Sequence, residues 1–145
     1  MSELVVREIP IAQTRALRQS VLRPHQTADE LAAHEAADAF AIGVFQGALI
    51  AVGFVAPEGG PGAWRIRGMA TAPGARGRGA GAAVLDALVR HALANDGTRI
   101  WCNARNAARA FYERGGFRVV SDEFEVPQIG PHYVMERTSA HTSAS

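Results

Sequence analysis

The sequence predicts an α/β protein built on a mixed sheet, and three observations carry that expectation. Short runs rich in β-branched and aromatic residues alternate with segments whose apolar positions recur at helical spacing. The order along the chain reads strand, two helices, three strands, helix, strand, helix, two strands. No internal repeat and no linker divides the 145 residues, a length that supports one domain with a substantial core.

Leu4 to Ile9 is a short β-branched run that Pro10 ends. From Ile11 to Leu22, the residues Ala12, Ala16, Leu17 and Val21 fall at helical spacing, and Pro24 stops the helix. Thr27 followed by Glu30 is a capping-box pattern, which starts a second helix expected to continue through the alanine-rich stretch to Asp38. Phe40 to Phe45 and Ala48 to Ala56 read as strands joined by a tight turn at Gln46-Gly47. After the flexible turn Glu58 to Gly62, Trp64 to Thr71 reads as another strand, ending before Pro73.

A helix is expected from Ala80 to Ala94, its stripe formed by Val84, Leu85, Leu88, Val89 and Ala92. Asn95-Asp96-Gly97 closes it, with Gly97 expected as the left-handed residue. Thr98 to Asn103 reads as a strand buried on both faces, then a short helix near Ala107 to Arg114 ends at Gly115-Gly116. Arg118 to Phe124 and Tyr133 to Arg137 read as the last strands, around a loop from Pro127 to Pro131. Residues 1–137 are thus read as one domain, and 138–145 as a small, polar, disordered tail.

Charge narrows the function classes. Fifteen basic residues against fourteen acidic ones leave no global field for nucleic acid or an anionic membrane. All the basic residues are arginine, so a P-loop lysine, a Schiff-base lysine and a lysine base are excluded together. The lone Cys102 allows no intramolecular disulfide, and its apolar setting predicts a buried thiol instead of a nucleophile. No signal segment and no apolar run of membrane-spanning length is found, so the expected location is the cytoplasm.

The most informative stretch is Arg76-Gly77-Arg78-Gly79-Ala80-Gly81, at the entrance of the long helix. Glycine costs roughly 1 kcal/mol against alanine inside a helix, so three of them here indicate a demand on the backbone. A helix N-terminus offers unpaired N–H groups and partial positive charge, and Gly77, Gly79 and Gly81 let an anion approach them. Arg76 and Arg78 add charge-assisted donors. A Walker loop would require the missing lysine. A dinucleotide fold would place a carboxylate at the end of the next strand, where Cys102 and Asn103 stand.

The segment Thr71 to Gly81 resembles the coenzyme A pyrophosphate loop of the GNAT superfamily of N-acetyltransferases, with threonine replacing the family's valine. Ala108 to Phe117 (ARAFYERGGF) is similar to the family's second signature, and the element order over residues 4–137 is similar too. The resemblance implies a mostly antiparallel mixed sheet flanked by helices, in the order β-α-α-β-β-β-α-β-α-β-β. It implies that main-chain groups of Met69, Ala70 and Thr71 bind the pantetheine arm, and that Arg76, Gly77, Arg78, Gly79, Ala80 and Gly81 hold the pyrophosphate. Tyr112 matches the residue that acts as general acid to the leaving thiolate, a role suited to a phenol. The family often has asparagine three residues before the motif alanine; here Arg105 stands there, and that contact is not carried over.

The implied reaction is direct attack by a neutral primary amine of a small molecule or peptide on the thioester of acetyl-CoA, without metal. A base or a water chain must take the ammonium proton, and His34, Glu35, Glu123, Glu125 and His132 are candidates for the base, with His132 favoured. Arg18 and Arg23 are read as ion-pair partners of the second helix, the alternative being contact with an acidic acceptor. Two rivals stand beside the enzyme: a non-catalytic coenzyme A-binding sensor or regulatory module, and an arginine-based nucleic-acid binder that the charge balance disfavours. A monomer or a homodimer is expected.

Overall fold

A computed structural model describes residues 3–139 of the chain. One eight-stranded sheet organises it, in the order β1-β2-β3-β4-β5-β8-β6, with β7 also paired to β8. The strands are β1 Val5–Ile9, β2 Phe40–Gln46, β3 Ala48–Pro57, β4 Ala63–Thr71, β5 Arg99–Arg105, β6 Arg118–Val119, β7 Phe124–Val126 and β8 Gly130–Thr138. Every pairing is antiparallel except β4 with β5.

The helices divide between the two faces. Helix α3 (Ala80–Ala94) buries Val84, Leu85, Leu88, Val89 and Ala92 against the sheet, as the stripe predicts. Helix α4 (Arg109–Arg114), reached through a tight turn at Asn106–Ala108, adds Tyr112 to the same core, beside Phe117 and Met135. On the opposite face, Ile9, Val52, Phe54 and Ala70 form a second core under Leu17, Val21 and Leu22. Those leucines and valine belong to the first helical segment, α1, which passes from a 3-10 turn (Ile11–Thr14) through an α turn to a π turn (Arg18–Leu22).

The capping box forms as read: Thr27 accepts from the Glu30 amide, and the Glu30 carboxylate accepts from the Thr27 amide. Helix α2 (Ala28–Ala32) then ends well before Asp38. Alanine propensity is overridden there because Glu35 is drawn into ion pairs with Arg15 and Arg18, and the His34 carbonyl accepts from Arg67. At the end of α3 the left-handed residue is Asp96 (φ 65), not Gly97. Gly97 instead brings its amide to the Ala92 carbonyl at 2.8 Å, where a Cβ would lie 2.6 Å from that oxygen.

Two strand expectations are also corrected. β5 is buried on one face only, through Ile100, Cys102 and Ala104, while Arg99, Trp101, Asn103 and Arg105 point to the other. The run from Arg118 to Phe124 is two strands, because the Ser121 hydroxyl takes the Val134 amide at 2.8 Å and interrupts the ladder. At the C-terminus, β8 includes Thr138, and the Ser139 amide bonds the Thr98 carbonyl; residues 140–145 of the expected tail lie outside the described residues. Among the described residues no helix is long and apolar enough to cross a membrane.

Candidate active site

The site begins with a bulge. β3 and β4 pair Val52 with Ala70 and Phe54 with Arg67, so Gly68 and Met69 together oppose Gly53. Gly68 takes φ 68, the left-handed geometry that such a bulge requires, and a Cβ on it would meet the Phe54 ring at 2.7 Å. β4 therefore bends away from β5. The two strands pair only over Ala63–Arg65 and Arg99–Trp101, then separate. A cleft of about 1630 Å³ opens between them, walled by Met69, Ala70 and Thr71 on one side and Asn103 to Arg105 on the other. Single small-ligand pockets run from about 300 to 1,000 Å³, so this one has room for two substrates.

The glycine loop closes one end of that cleft. Gly77 (φ 83) and Gly79 (φ 81) have left-handed backbones, and Gly79 is the residue immediately before α3. A Cβ built on either would meet no atom within 4 Å, so open space lies above both. Gly81 is there for a different reason: its Cβ would press on Thr71 Oγ1 at 3.3 Å and on the Phe111 ring at 3.4 Å. Among the described residues, the amides from Gly77 to Ala82 find no acceptor; the first helical bond is Ala83 N–H to the Gly79 carbonyl, at 3.0 Å. This cradle fits a diphosphate, through free N–H donors at a helix N-terminus with room in front of them.

Of the residues the sequence singled out, Met69, Ala70, Thr71, Arg76, Gly77, Gly79, Ala80, Gly81 and Tyr112 line the cleft. Arg78 does not. Its guanidinium donates to Gln46 at 2.7 Å and to the Gly74 carbonyl at 3.1 Å, which ties the loop to the β2–β3 turn. Tyr112 is 7% exposed, with its ring edge-on to Phe111 and Phe117. Burial first, and the neighbouring Cys102 second, push its phenol well above the usual value, so it holds its proton across the neutral range. Burial likewise pushes the Cys102 thiol up to about 12, against a hydrogen bond from Tyr112 that lowers it. Cys102 is a core thiol.

The other end of the cleft is made of side chains. His132, 5% exposed, lies opposite Arg105 in the β5–β8 ladder, so the two share a face. Its Nδ1 is 2.8 Å from the Gly130 carbonyl and donates to it, which leaves Nε2 as the proton acceptor. His34 also lines the cleft. Glu35, Glu123 and Glu125 do not; Glu35 is consumed by Arg15 and Arg18, and Glu123 accepts from the Tyr133 hydroxyl.

Arg18 meets the ion-pair expectation, at 2.6 Å from Glu35, although that carboxylate lies beyond the end of α2. Arg23 does not: among the described residues no carboxylate pairs with it. Sequence reading missed Arg67, Arg105 and the bulge. The signal for the bulge was present, as an isolated glycine inside the strand run WRIRGMAT.

Comparison with known proteins agrees with this architecture. The family model for an acetyltransferase (GNAT) domain matches residues 10–138. The chain is 35% identical over 144 residues to the "Uncharacterized N-acetyltransferase YitI" of Bacillus subtilis (strain 168), covering 93% of this chain and 96% of that one. Similar solved structures include the ribosomal-protein-S18-alanine N-acetyltransferase of Escherichia coli, at TM-score 0.76 and 15% identity over 94% of both chains. An aminoglycoside 6'-N-acetyltransferase complexed with coenzyme A has TM-score 0.76 and 15% identity, over 92% of this chain and 96% of that one. With a bulged β4 splayed from β5 and a glycine cradle at the head of α3, the chain belongs to the GNAT family of acetyltransferases.

Proposed function

We propose that this protein is an N-acetyltransferase that moves the acetyl group of acetyl-CoA to a primary amine of a small molecule or peptide by direct attack. The observation that carries the reading is the row of amides from Gly77 to Ala82 without acceptors, opening on a cleft that Tyr112 and His132 also line. Those amides, with Arg76, hold the diphosphate, and the unpaired edge of β4 at Met69, Ala70 and Thr71 binds the pantetheine amides. A solved structure of the same fold with coenzyme A bound, the aminoglycoside enzyme, supports that assignment.

Acetyl-CoA supplies an activated acyl group. His132 Nε2 takes the proton from the acceptor ammonium, and the neutral amine nitrogen forms its bond to the carbonyl carbon. The carbon–sulfur bond then breaks as the nitrogen gives up its surplus proton to solvent, and the Tyr112 hydroxyl gives its proton to the sulfur and regains one from solvent. Burial keeps that phenol protonated, and so able to donate, at neutral pH.

The test is thiol release from acetyl-CoA across a panel of primary amines, with calorimetry of acetyl-CoA binding beside it. Turnover with at least one amine is expected. A protein that ignores coenzyme A at millimolar concentration overturns the reading. A second reading, a coenzyme A-binding sensor or regulatory module, draws on the packing of Tyr112 against Cys102 within the core. Tight acetyl-CoA binding with no turnover on any amine selects it.

A further inference from the structure

We propose that the acceptor carries an anionic group, a carboxylate or a phosphate, and that Arg23, Arg67 and Arg105 bind it beside His132. This rests on the acetyltransferase reading above and names its substrate class.

Register places these side chains together. Arg67 lies opposite Phe54, and Arg105 opposite His132; directly paired residues share a face, and Phe54 belongs to the core under α1. Arg23 follows directly on α1, and the Arg105 guanidinium donates to the carbonyl of its neighbour Leu22 at 2.7 Å. Arg67 donates to the His34 carbonyl at 2.8 Å. All of them line the same cleft, on the face away from the glycine cradle and α3, so this positive region is distinct from the diphosphate position.

The charges do not balance. Five arginines, Arg18, Arg23, Arg65, Arg67 and Arg105, line this part of the cleft. Glu35 answers Arg18, and Glu58 alone answers both Arg65 and Arg67, at 2.9 and 3.4 Å. Arg23 and Arg105 have no carboxylate partner among the described residues. Among the described residues, the one carboxylate lining the cleft is Asp86, on α3, where it pairs with Arg90. Burial first, then the charges of Arg105, Arg18 and Arg67, hold the Arg23 guanidinium below its usual range. The Arg67 Nε, like that of Arg65, is buried with no hydrogen-bond partner among the described residues.

Half-buried like charges repel, and the arrangement is relieved by an anion. Planar guanidinium forks match carboxylate and phosphate oxygens. Paired residues on neighbouring strands lie about 5 Å apart at Cα, so the Arg105–His132 adjacency suits an amine and an anion on one short acceptor. An α-amino acid, an aminoalkyl phosphate and an acidic residue at a peptide terminus all have that form.

The experiment compares matched amines by thiol release: an amino carboxylate, the corresponding aminoalkyl phosphate, and the same amine with neither group. The better acidic acceptor is expected to exceed the neutral one in kcat/KM by about tenfold or more, the worth of one charge-assisted hydrogen bond. Comparing the carboxylate with the phosphate distinguishes the two anions. Arg23→Gln is the informative variant, because the Arg23 side chain makes no hydrogen bond among the described residues, so its loss removes none of their bonds. It is expected to cut the acidic preference to within about threefold while leaving KM for acetyl-CoA unchanged.

A neutral amine used as well as the acidic ones, or a preference that survives Arg23→Gln, overturns the proposal. Glutarate and methyl phosphate, which cannot be acetylated, are also titrated calorimetrically into the protein with and without saturating coenzyme A. Binding that Arg23→Gln weakens supports the anion site even if no amine is turned over, in which case only the enzyme reading fails. Turnover of neutral amines with neither anion bound leaves the enzyme reading standing and sinks this one.

Discussion

The two ends of the cleft are built from different materials. The proposed donor end is backbone: left-handed Gly77 and Gly79, amides without acceptors to Ala82 among the described residues, and the unpaired edge of a bulged strand, all within residues 68–82. The proposed acceptor end is side chains from distant places, with Arg18 and Arg23 in or after α1, Arg67 on β4, Arg105 on β5 and His132 on β8. A backbone site accepts little change, since its geometry depends on residues without a Cβ. A side-chain site is rewritten one substitution at a time. The first end is therefore the less tolerant of substitution, and the second the more.

The sharpest way to break that comparison is Gly79→Val. A β-branched residue at φ 81 is strained by about 1–2 kcal/mol, and its side chain enters the open space in front of the amides. Adding the lost charge-assisted amide bonds brings the total to about 4 kcal/mol, or about a thousandfold weaker coenzyme A binding by calorimetry. The anions that report on the acceptor end should bind as before. If they weaken in parallel, the two ends are one structural unit.

Tyr112→Phe comes next. Removing a general acid costs typically about a hundredfold or more in rate, so kcat should fall by that order while KM for acetyl-CoA holds. The phenol is held well above its usual value, so in the wild type no loss of this acid is expected on the alkaline side of the kcat profile up to about pH 10. A variant with undiminished kcat would leave Tyr112 as a core aromatic between Phe111 and Phe117.

The same division explains what was legible in the sequence. The left-handed cradle at Gly77 and Gly79 was readable because its geometry is local: the residues that make it are neighbours in the chain. Thr27 and Glu30 were readable for that reason too. The extension of α2 to Asp38 failed because Glu35 answers to Arg15 and Arg18, about twenty residues earlier, and no local pattern encodes that pull. Arg67 looked like an ordinary strand residue, and Arg105 only like a departure from the family's asparagine, since their meeting with Arg23 depends on the register of β3 with β4 and of β5 with β8. Arg78 carries the opposite lesson. It stands inside the motif, yet the fold spends its guanidinium on Gln46.

Glu35 tests how firmly the acceptor end is held. Its side chain is 6% exposed and pairs with Arg18, itself 6% exposed in its side chain. Glu35→Gln keeps an acceptor oxygen but leaves a buried guanidinium without its counter-charge. We expect about 2 kcal/mol of lost stability in urea, somewhat under the cost of deleting a buried partner outright. Hydrogen bonds from Arg15 first, outweighing the opposing effect of burial, hold the Glu35 carboxyl below its usual value. Its contribution is thus present above the unfolded value near 4.5 and is lost as pH falls through the lower folded value. The variant should lack that part of the acid limb.

The smallest effect is expected for Thr27→Ala. The variant loses the hydroxyl that caps the Glu30 amide at 3.2 Å, worth about 1 kcal/mol at an N-cap. Helix α2 has five residues and one buried side chain, Leu31, so little else holds it in place. The Thr27 amide remains and still donates to Glu30, so the Glu30 carboxyl stays below its usual value. What moves is the segment after α2, where His34 receives Arg67 and Glu35 receives Arg18. KM for the acceptor should rise modestly, with a small drop in Tm, while calorimetric coenzyme A affinity stays put. A change confined to coenzyme A affinity would place α2 on the donor side of the cleft and dissolve the division argued here.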